Sequence, residues 1–326
     1  MDEQAPQGAR GREKRHVPVL LEEAMQYLRI LPGGTYVDAT LGLGGHSTAI
    51  ARLLGPDGHL IAFDRDAQAI ERAEAKFAAL HEELQEQMPR ITIHAEAFAE
   101  LASRVEPQSI DGILADFGVS SLQLDTAERG FSFQADAPLD MRMDPRSGAT
   151  AEQVVNQLNE EDLANLIYEF GEERRSRRIA RAIVRARPLT TTAQLAKVVA
   201  ASAPTIKSDR IHPATRVFQA LRIYVNGELE QIASLLEQAP MLLRPAGRMV
   251  AISFHSLEDR IVKDAFRAGR TAGTWQVLTM KPVTASEVEI QSNPRSRSAK
   301  LRAAERIEKP ERKAGGQQDK FFRRSW

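Results

Sequence analysis

The residues best suited to chemistry gather around a glycine-rich turn. Asp38-Ala39-Thr40-Leu41-Gly42-Leu43-Gly44-Gly45-His46 closes an apolar segment at 35–39, and glycine there admits positive φ and close approach of a ligand to the backbone. Asp64 ends the next apolar run, about 20 residues on, where a carboxylate can accept from both hydroxyls of a ribose. Turn, strand context and carboxylate together predict a site for a nucleoside-bearing cofactor. Two classes use this geometry: dinucleotides and S-adenosyl-L-methionine. The third glycine of a dinucleotide fingerprint falls on Ser47, giving Gly42-x-Gly44-x-x-Ser47; this weakens the case for a pyrophosphate and favours the methyl donor. Asp38 then anchors the cationic amino-acid end, Phe98 packs on adenine, and Asp116 or Gln123 hydrogen-bonds near the reactive end. The bland alternatives are a core Phe98 and a surface Gln123.

These residues need a scaffold that brings strand ends together. Apolar runs at 35–39, 59–63, 91–94 and 110–115 alternate with helical patterns at 19–29 and 46–54 and with Ile70, Ala73, Phe77 and Leu80 at helical spacing. Strands alternating with helices imply a parallel sheet. The rhythm breaks after Asp116. A loop at about 125–148 and helices at about 151–157, 160–169, 173–186, 192–202 and 213–238 follow, the last with Phe218, Leu221, Val225, Leu229, Ile232 and Leu236 on one face. Alternation resumes with a strand at 248–254, and a helix begins at Ser256, where Ser256 and Asp259 have capping-box spacing. Segments 275–283 and 298–307 can pair as a hairpin. The expected organisation is a mobile tail at 1–15, an α/β cofactor domain at 16–124 and 217–307, an inserted helical domain at 125–216, and a basic tail at 308–326.

Composition narrows the chemistry. The 326 residues contain no cysteine, which removes thiolate zinc sites and cysteine nucleophiles. No stretch has the ~18 uninterrupted apolar residues of a membrane span, and the early segment 17–31 carries Glu22, Glu23 and Arg29, so it reads as an amphipathic helix rather than a signal core. The cytoplasm is the expected compartment. Forty-four basic and forty-four acidic residues cancel, but unevenly: 293–326 holds eleven Lys/Arg against four Asp/Glu, and 172–187 holds seven Arg against two Glu. Such patches suit a polyanion such as RNA, and they also suit a merely solvated helix face and tail.

Eight ordered motifs then become specific: His16-Val17-Pro18-Val19-Leu20, the 38–46 stretch, Asp116-Phe117-Gly118-Val119-Ser120-Ser121, Arg129-Gly130-Phe131-Ser132-Phe133, Pro138-Leu139-Asp140-Met141-Arg142-Met143-Asp144, Gly171-Glu172-Glu173-Arg174, His212-Pro213-Ala214-Thr215-Arg216 and Ser253-Phe254-His255-Ser256-Leu257-Glu258-Asp259-Arg260. In these the chain closely resembles the bacterial RsmH (MraW) family of ribosomal RNA methyltransferases, from about residue 16 to 307. The resemblance implies a Rossmann-like class I methyltransferase sheet with an inserted helical domain for RNA recognition. It implies transfer of methyl from S-adenosyl-L-methionine to the exocyclic N4 of a cytidine in 16S ribosomal RNA near the decoding site. The implied cofactor contacts are Gly44, Gly45, His46, Asp64, Phe98, Asp116 and Gln123.

Without cysteine, a covalent thiolate route to pyrimidine C5 is closed, and a nitrogen or oxygen acceptor is expected. Asp116 is the candidate acceptor of the amino hydrogen bond, with Ser120, Asp140 and His255 as weaker candidates. Many amino-methyltransferases end the fourth strand with an acidic residue or Asn, two prolines and an aromatic; here Asp116-Phe117-Gly118-Val119 stands instead, so that clamp cannot be copied. Phe131 and Phe133 are candidates to stack on a flipped base, although anchoring of the loop is the better account of Phe133. Arg129, Arg142, Arg174, Arg175 and Arg178 are candidate RNA contacts. Asp140 and Asp144 read as a tight turn, and no obligatory metal is expected. The partner is small-subunit ribosomal RNA or the assembled subunit, with no membrane, and a homodimer stays open. The rival readings are an NAD(P)-dependent oxidoreductase and a non-catalytic RNA-binding assembly factor.

Overall fold

The computed structural model describes residues 17–203 and 213–308; His16, His212, the expected mobile segment 1–15 and all but the first residue of the basic tail lie outside them. Among the described residues, seven strands form one sheet: β1 (Thr35–Asp38), β2 (His59–Phe63), β3 (Arg90–His94), β4 (Ile110–Asp116), β5 (Leu243–Ser253), β6 (Trp275–Val277) and β7 (Lys300–Arg306), in the order β3-β2-β1-β4-β5-β7-β6. The first five are parallel, and β7 runs antiparallel between β5 and β6. The central strands read as nearly unbroken apolar runs because both faces are covered. Helices α1 (Leu21–Leu28), α2 (Gly45–Leu54) and α3 (Ala67–Leu84) close one face over Leu60, Leu114 and Ile252.

After the short α4 (Leu101–Arg104) and α5 (Ser121–Asp125), the insertion builds its own core from α6 (Ala151–Gln157), α7 (Glu160–Gly171), α8 (Ser176–Ala186), α9 (Thr192–Ser202) and α10 (Pro213–Asn226). Local signals start these helices. Thr150 with Gln153 and Thr191 with Gln194 form capping boxes, and Asn159 accepts from Asp162 N, each satisfying backbone donors the helix itself leaves open. The arginine-rich segment is α8. Ile179, Ala180 and Ile183 point into the core, while Arg177, Arg178 and Arg181 are exposed.

One expectation needs correction. The continuous helix at 213–238 is two helices, α10 and α11 (Glu228–Leu242), because Gly227 takes φ 57° and turns the chain. The shared apolar face is therefore divided. Phe218 and Leu221 join the helical core, whereas Ile232 and Leu236 cover the second face of the sheet together with α12 (Ser256–Thr271). The change of core falls at Gly227 rather than at 217. The capping box of α12 is also displaced by one residue: His255 is the cap and Glu258 its partner. None of the helices among the described residues is long and apolar enough to cross a membrane.

Asn226, at the end of α10, ties the inserted loop to this junction. Its Oδ1 accepts from Met143 N (2.8 Å), and its Nδ2 donates to Met141 O (2.8 Å) and Arg222 O (2.9 Å). Asn226→Ala leaves buried backbone groups of Met141 and Met143 without their partner. It is expected to lower unfolding free energy by roughly 2–4 kcal/mol, read as a shifted midpoint in urea.

Candidate cofactor and acceptor site

A cavity of about 380 Å³ opens at the carboxyl ends of β1, β2 and β4. The chain runs outward from β1 to β2 and β3 on one side and from β4 to β5 on the other, so the crevice between β1 and β4 is a topological switch point, where open parallel sheets hold ligands. Asp38 ends β1, Asp64 follows β2, Phe98 lies beyond β3, and Asp116 ends β4. Residues far apart in the sequence, on different strands, thus become spatial neighbours.

The glycine turn is shaped from two sides. Gly44 has φ 70°, and a Cβ there would stand 3.2 Å from Ala73 Cβ; it does not line the cavity but lets the turn pack on α3. A side chain at Gly45 would overlap Pro18. Gly42 N donates to Asp64 Oδ2 (2.8 Å) and Asp66 N donates to Asp64 Oδ1 (2.9 Å), fixing the carboxylate while a lone pair on each oxygen stays available. Burial nonetheless pushes Asp64 upward in pKa. Phe98 lines the cavity, its ring 6.0 Å from that of Phe117.

Carboxylates dominate the middle of the cavity. Asp38 accepts from Ser47 Oγ (2.6 Å) and Thr40 N (3.1 Å), yet burial outweighs both and its pKa is pushed up to about 6. Asp116 N donates to Thr40 Oγ1 (2.6 Å). Its Oδ2 lies 3.5 Å from His46 Nδ1, and its Oδ1, shielded from water, has no hydrogen-bond partner among the described residues. Burial, then the charges of Asp38 and Glu258, push the Asp116 carboxyl well above its ordinary range.

Gln123 lines the cavity, but its amide is spent: Nε2 donates to Asp66 Oδ2 (3.0 Å) and Oε1 accepts from Ser120 N (3.1 Å). Ser120 caps α5, and Asp140 is held by Arg142 (2.8 Å). The cavity is also lined by Arg222, Glu228 and Glu258, to which the sequence by itself assigns no role. Arg222 donates to both oxygens of Glu228 (2.9 and 2.8 Å). Glu258, fully buried, accepts from Phe254 N (2.7 Å) and stands 2.9 Å from His255 Nε2. Burial pushes Glu258 up, but His255, Arg222 and the Phe254 N–H together outweigh it and keep it low. Glu228, His255 and Glu258 offer ligand atoms within 4.8 Å of one another, with the Arg222 guanidinium among them at 2.8 Å from Glu228 and 3.8 Å from Glu258. Arg222 and Glu228 read in sequence as part of a core-facing helix; only the break at Gly227 lets them meet across six positions.

The candidate RNA residues separate. Phe131 is only 7 % exposed and belongs to the helical core, so it is not a free stacking surface; Phe133 packs edge-on against Phe218. Arg129 pairs with buried Asp66 (2.9 Å) and donates to Arg142 O and Met143 O, a brace between insertion and sheet. Arg142 is bound to Asp140, and Arg175 to Glu173 (3.0 Å). Arg174 and Arg178 are exposed beside Arg177.

The profile of the MraW methylase family matches residues 13–307. The chain belongs to the MraW methylase family. It is 68% identical over 293 residues to a ribosomal RNA small subunit methyltransferase H of Acidobacterium capsulatum, covering 90% of this chain and 99% of that one. It is 58% identical over 308 residues to the protein of the same name from Koribacter versatilis, covering 94% and 98%. S-adenosyl-L-methionine is accordingly its cofactor and the sheet a Rossmann-like class I methyltransferase fold. The cavity fits that cofactor: a fixed carboxylate at Asp64, aromatic walls at Phe98 and Phe117, and an unpartnered acidic oxygen at Asp116 suit a nucleoside that carries positive charge.

Asp38 gives a pH-dependent signature. Because its folded pKa is raised, protonated Asp38 stabilises the fold below about pH 4, and that contribution is lost as pH rises through about 6. Asp38→Asn is expected to melt higher than the parent at pH 8, by the equivalent of up to about 3 kcal/mol, with the two curves converging near pH 4 in scanning calorimetry.

Proposed function

We propose that this protein methylates the exocyclic N4 of a cytidine in 16S ribosomal RNA near the decoding site, acting in the cytoplasm on RNA or on the assembled small subunit. The observation that carries this reading is a single cavity joining a nucleoside-holding turn to the Asp116 carboxylate, which has no Lys or Arg partner among the described residues. The relatives' names support the ribosomal RNA part, and the absence of cysteine together with the Asp116 carboxylate on the cavity wall supports a nitrogen acceptor.

When bound, S-adenosyl-L-methionine supplies a methyl carbon made electrophilic by its sulfonium. The chain's residues position and select. Asp64 accepts from the ribose, Phe98 packs on the adenine, and Gly42 and Gly45 keep the turn low enough to admit the nucleoside. The lone pair of N4 is delocalised into the cytosine ring, so alignment and a hydrogen-bond acceptor for its N–H carry most of the rate. Asp116 is that acceptor. Glu258, held by His255 and Arg222, shapes the wall beside it. Outside the cavity, Arg174, Arg177 and Arg178 contact phosphates and orient the RNA without reading sequence. Phe131 and Arg129, committed to packing and to Asp66, support the loop rather than touch RNA.

Small subunits from cells lacking this protein, incubated with it and labelled donor, are expected to gain label on one cytidine, at N4. Label at another atom, or none, overturns the reading. Replacing Arg174, Arg177 and Arg178 with Gln is expected to weaken RNA binding and to flatten the slope of log affinity against log salt by roughly 2–3; an unchanged slope removes the phosphate role.

A further inference from the structure

The contact between His46 and Asp116 contains a requirement for a proton. His46 Nε2 faces the carbonyl oxygen of Val19 at 3.0 Å. A carbonyl only accepts, so Nε2 carries the hydrogen, and the other nitrogen of a neutral ring is a bare acceptor. That nitrogen, Nδ1, faces Asp116 Oδ2 at 3.5 Å. Two acceptors face each other across this gap unless one holds a proton: either Asp116 is a neutral acid, or His46 is a cation.

The surroundings keep that proton in place. Asp38 on β1 and Glu258 on α12 both act on Asp116 as negative charges, and Arg222 on α10 is drawn to Glu228 and Glu258 rather than to Asp116. Among the described residues, Asp116 has no ion pair with Lys or Arg, and its Oδ1 is buried without a donor. A carboxylate in such a setting awaits a proton or a cation.

We propose that the His46–Asp116 pair holds one proton in the free protein and releases it when the sulfonium-bearing donor enters, so that the pocket tells the charged donor from its neutral thioether product. The inference rests on the reading that the donor's sulfonium lies beside Asp116. Donor and product share the adenosine, the amino group and the carboxylate; they differ by one methyl and one positive charge. The sulfonium takes the electrostatic place of the proton, which passes to solvent. The product brings no such charge, and the proton stays. Asp116 is thereby freed to accept from the amine only while a methyl group is present, and the spent molecule is held less tightly than the fresh one.

The sign follows from the exchange. Below the titration of the pair, donor binding must expel a proton, so donor affinity rises with pH by up to about tenfold per unit and levels off above it. Product affinity is flat with respect to this pair. The test is calorimetric titration of the full-length protein with S-adenosyl-L-methionine and with S-adenosyl-L-homocysteine, in buffers of different ionisation enthalpy, across about pH 5 to 8. The expected result is release of close to one proton more for the donor than for the product at the acid end, with a donor-over-product preference that grows with pH. Asp116→Asn is expected to abolish both the extra proton and the pH dependence of that preference without lowering the melting temperature. Equal proton counts for the two ligands at every pH, or an unchanged difference in Asp116→Asn, overturns the inference. The wild-type comparison decides even where the variant does not fold. Failure of both ligands to bind overturns the inference together with the cofactor reading of the cavity, whereas binding of both with equal counts overturns the inference alone.

Discussion

Three carboxyl groups brought out of water at the ends of parallel strands set the terms for the rest of this protein. Asp38, Asp64 and Asp116 each terminate or follow a central strand, and burial pushes all three upward in pKa. Such a concentration of acid is costly in a folded chain. It is tolerated because backbone N–H groups and hydroxyls satisfy part of it: Gly42 and Asp66 for Asp64, Ser47 and Thr40 for Asp38. What remains unsatisfied is Asp116 Oδ1, buried with no hydrogen-bond partner among the described residues.

The helical insertion serves the same cavity from outside the sheet. Its core is separate from the two that sandwich the strands, but polar contacts, some of them buried and some exposed, fasten it at the rim. Arg129 reaches across to Asp66, Arg65 donates to Asn226 O (3.1 Å), and Glu172 at the end of α7 pairs with Arg260 on α12 (3.1 Å). Several of the motif residues are engaged in bracing ion pairs. Arg129, Asp140, Arg142 and Glu173 hold loops in shape through charge pairs that are partly buried, where such pairs impose geometry more than they add stability. The arginines left exposed on α8 face solvent because Ile179, Ala180 and Ile183 take the inner side of the helix.

Much of the architecture was legible in the sequence because it follows from local rules. Strand 59–63 and helix 151–157 stand where period, capping residues and turn glycines place them. The terminal hairpin pairs as expected, with Trp275 opposite Arg306. The continuous helix expected at 213–238 breaks for a definite reason. Hydrophobic period continues through Gly227 without a break, and only the positive φ adopted there sends the two halves into different cores. Phe131 was equally open in sequence: an aromatic beside arginines looks the same whether it stacks on a base or fills a helical core, and the structure places it in the core.

The sequence by itself determined the kind of site: a glycine turn after a strand, an acidic residue one strand away, and no thiol, since these depend on residue type and on spacing within one βαβ unit. Tertiary structure alone decided which groups share the cavity and in which direction burial shifts their titration. The meeting of His46 with Asp116, of Arg222 with Glu228 and Glu258, and the packing of Gly44 against Ala73 join residues 6 to 70 positions apart. Desolvation, which moves the pKa values, exists only once the chain has closed around them. Local pattern encodes elements; burial and long-range contact, which no window of sequence contains, turn them into a pocket with a charge to fill.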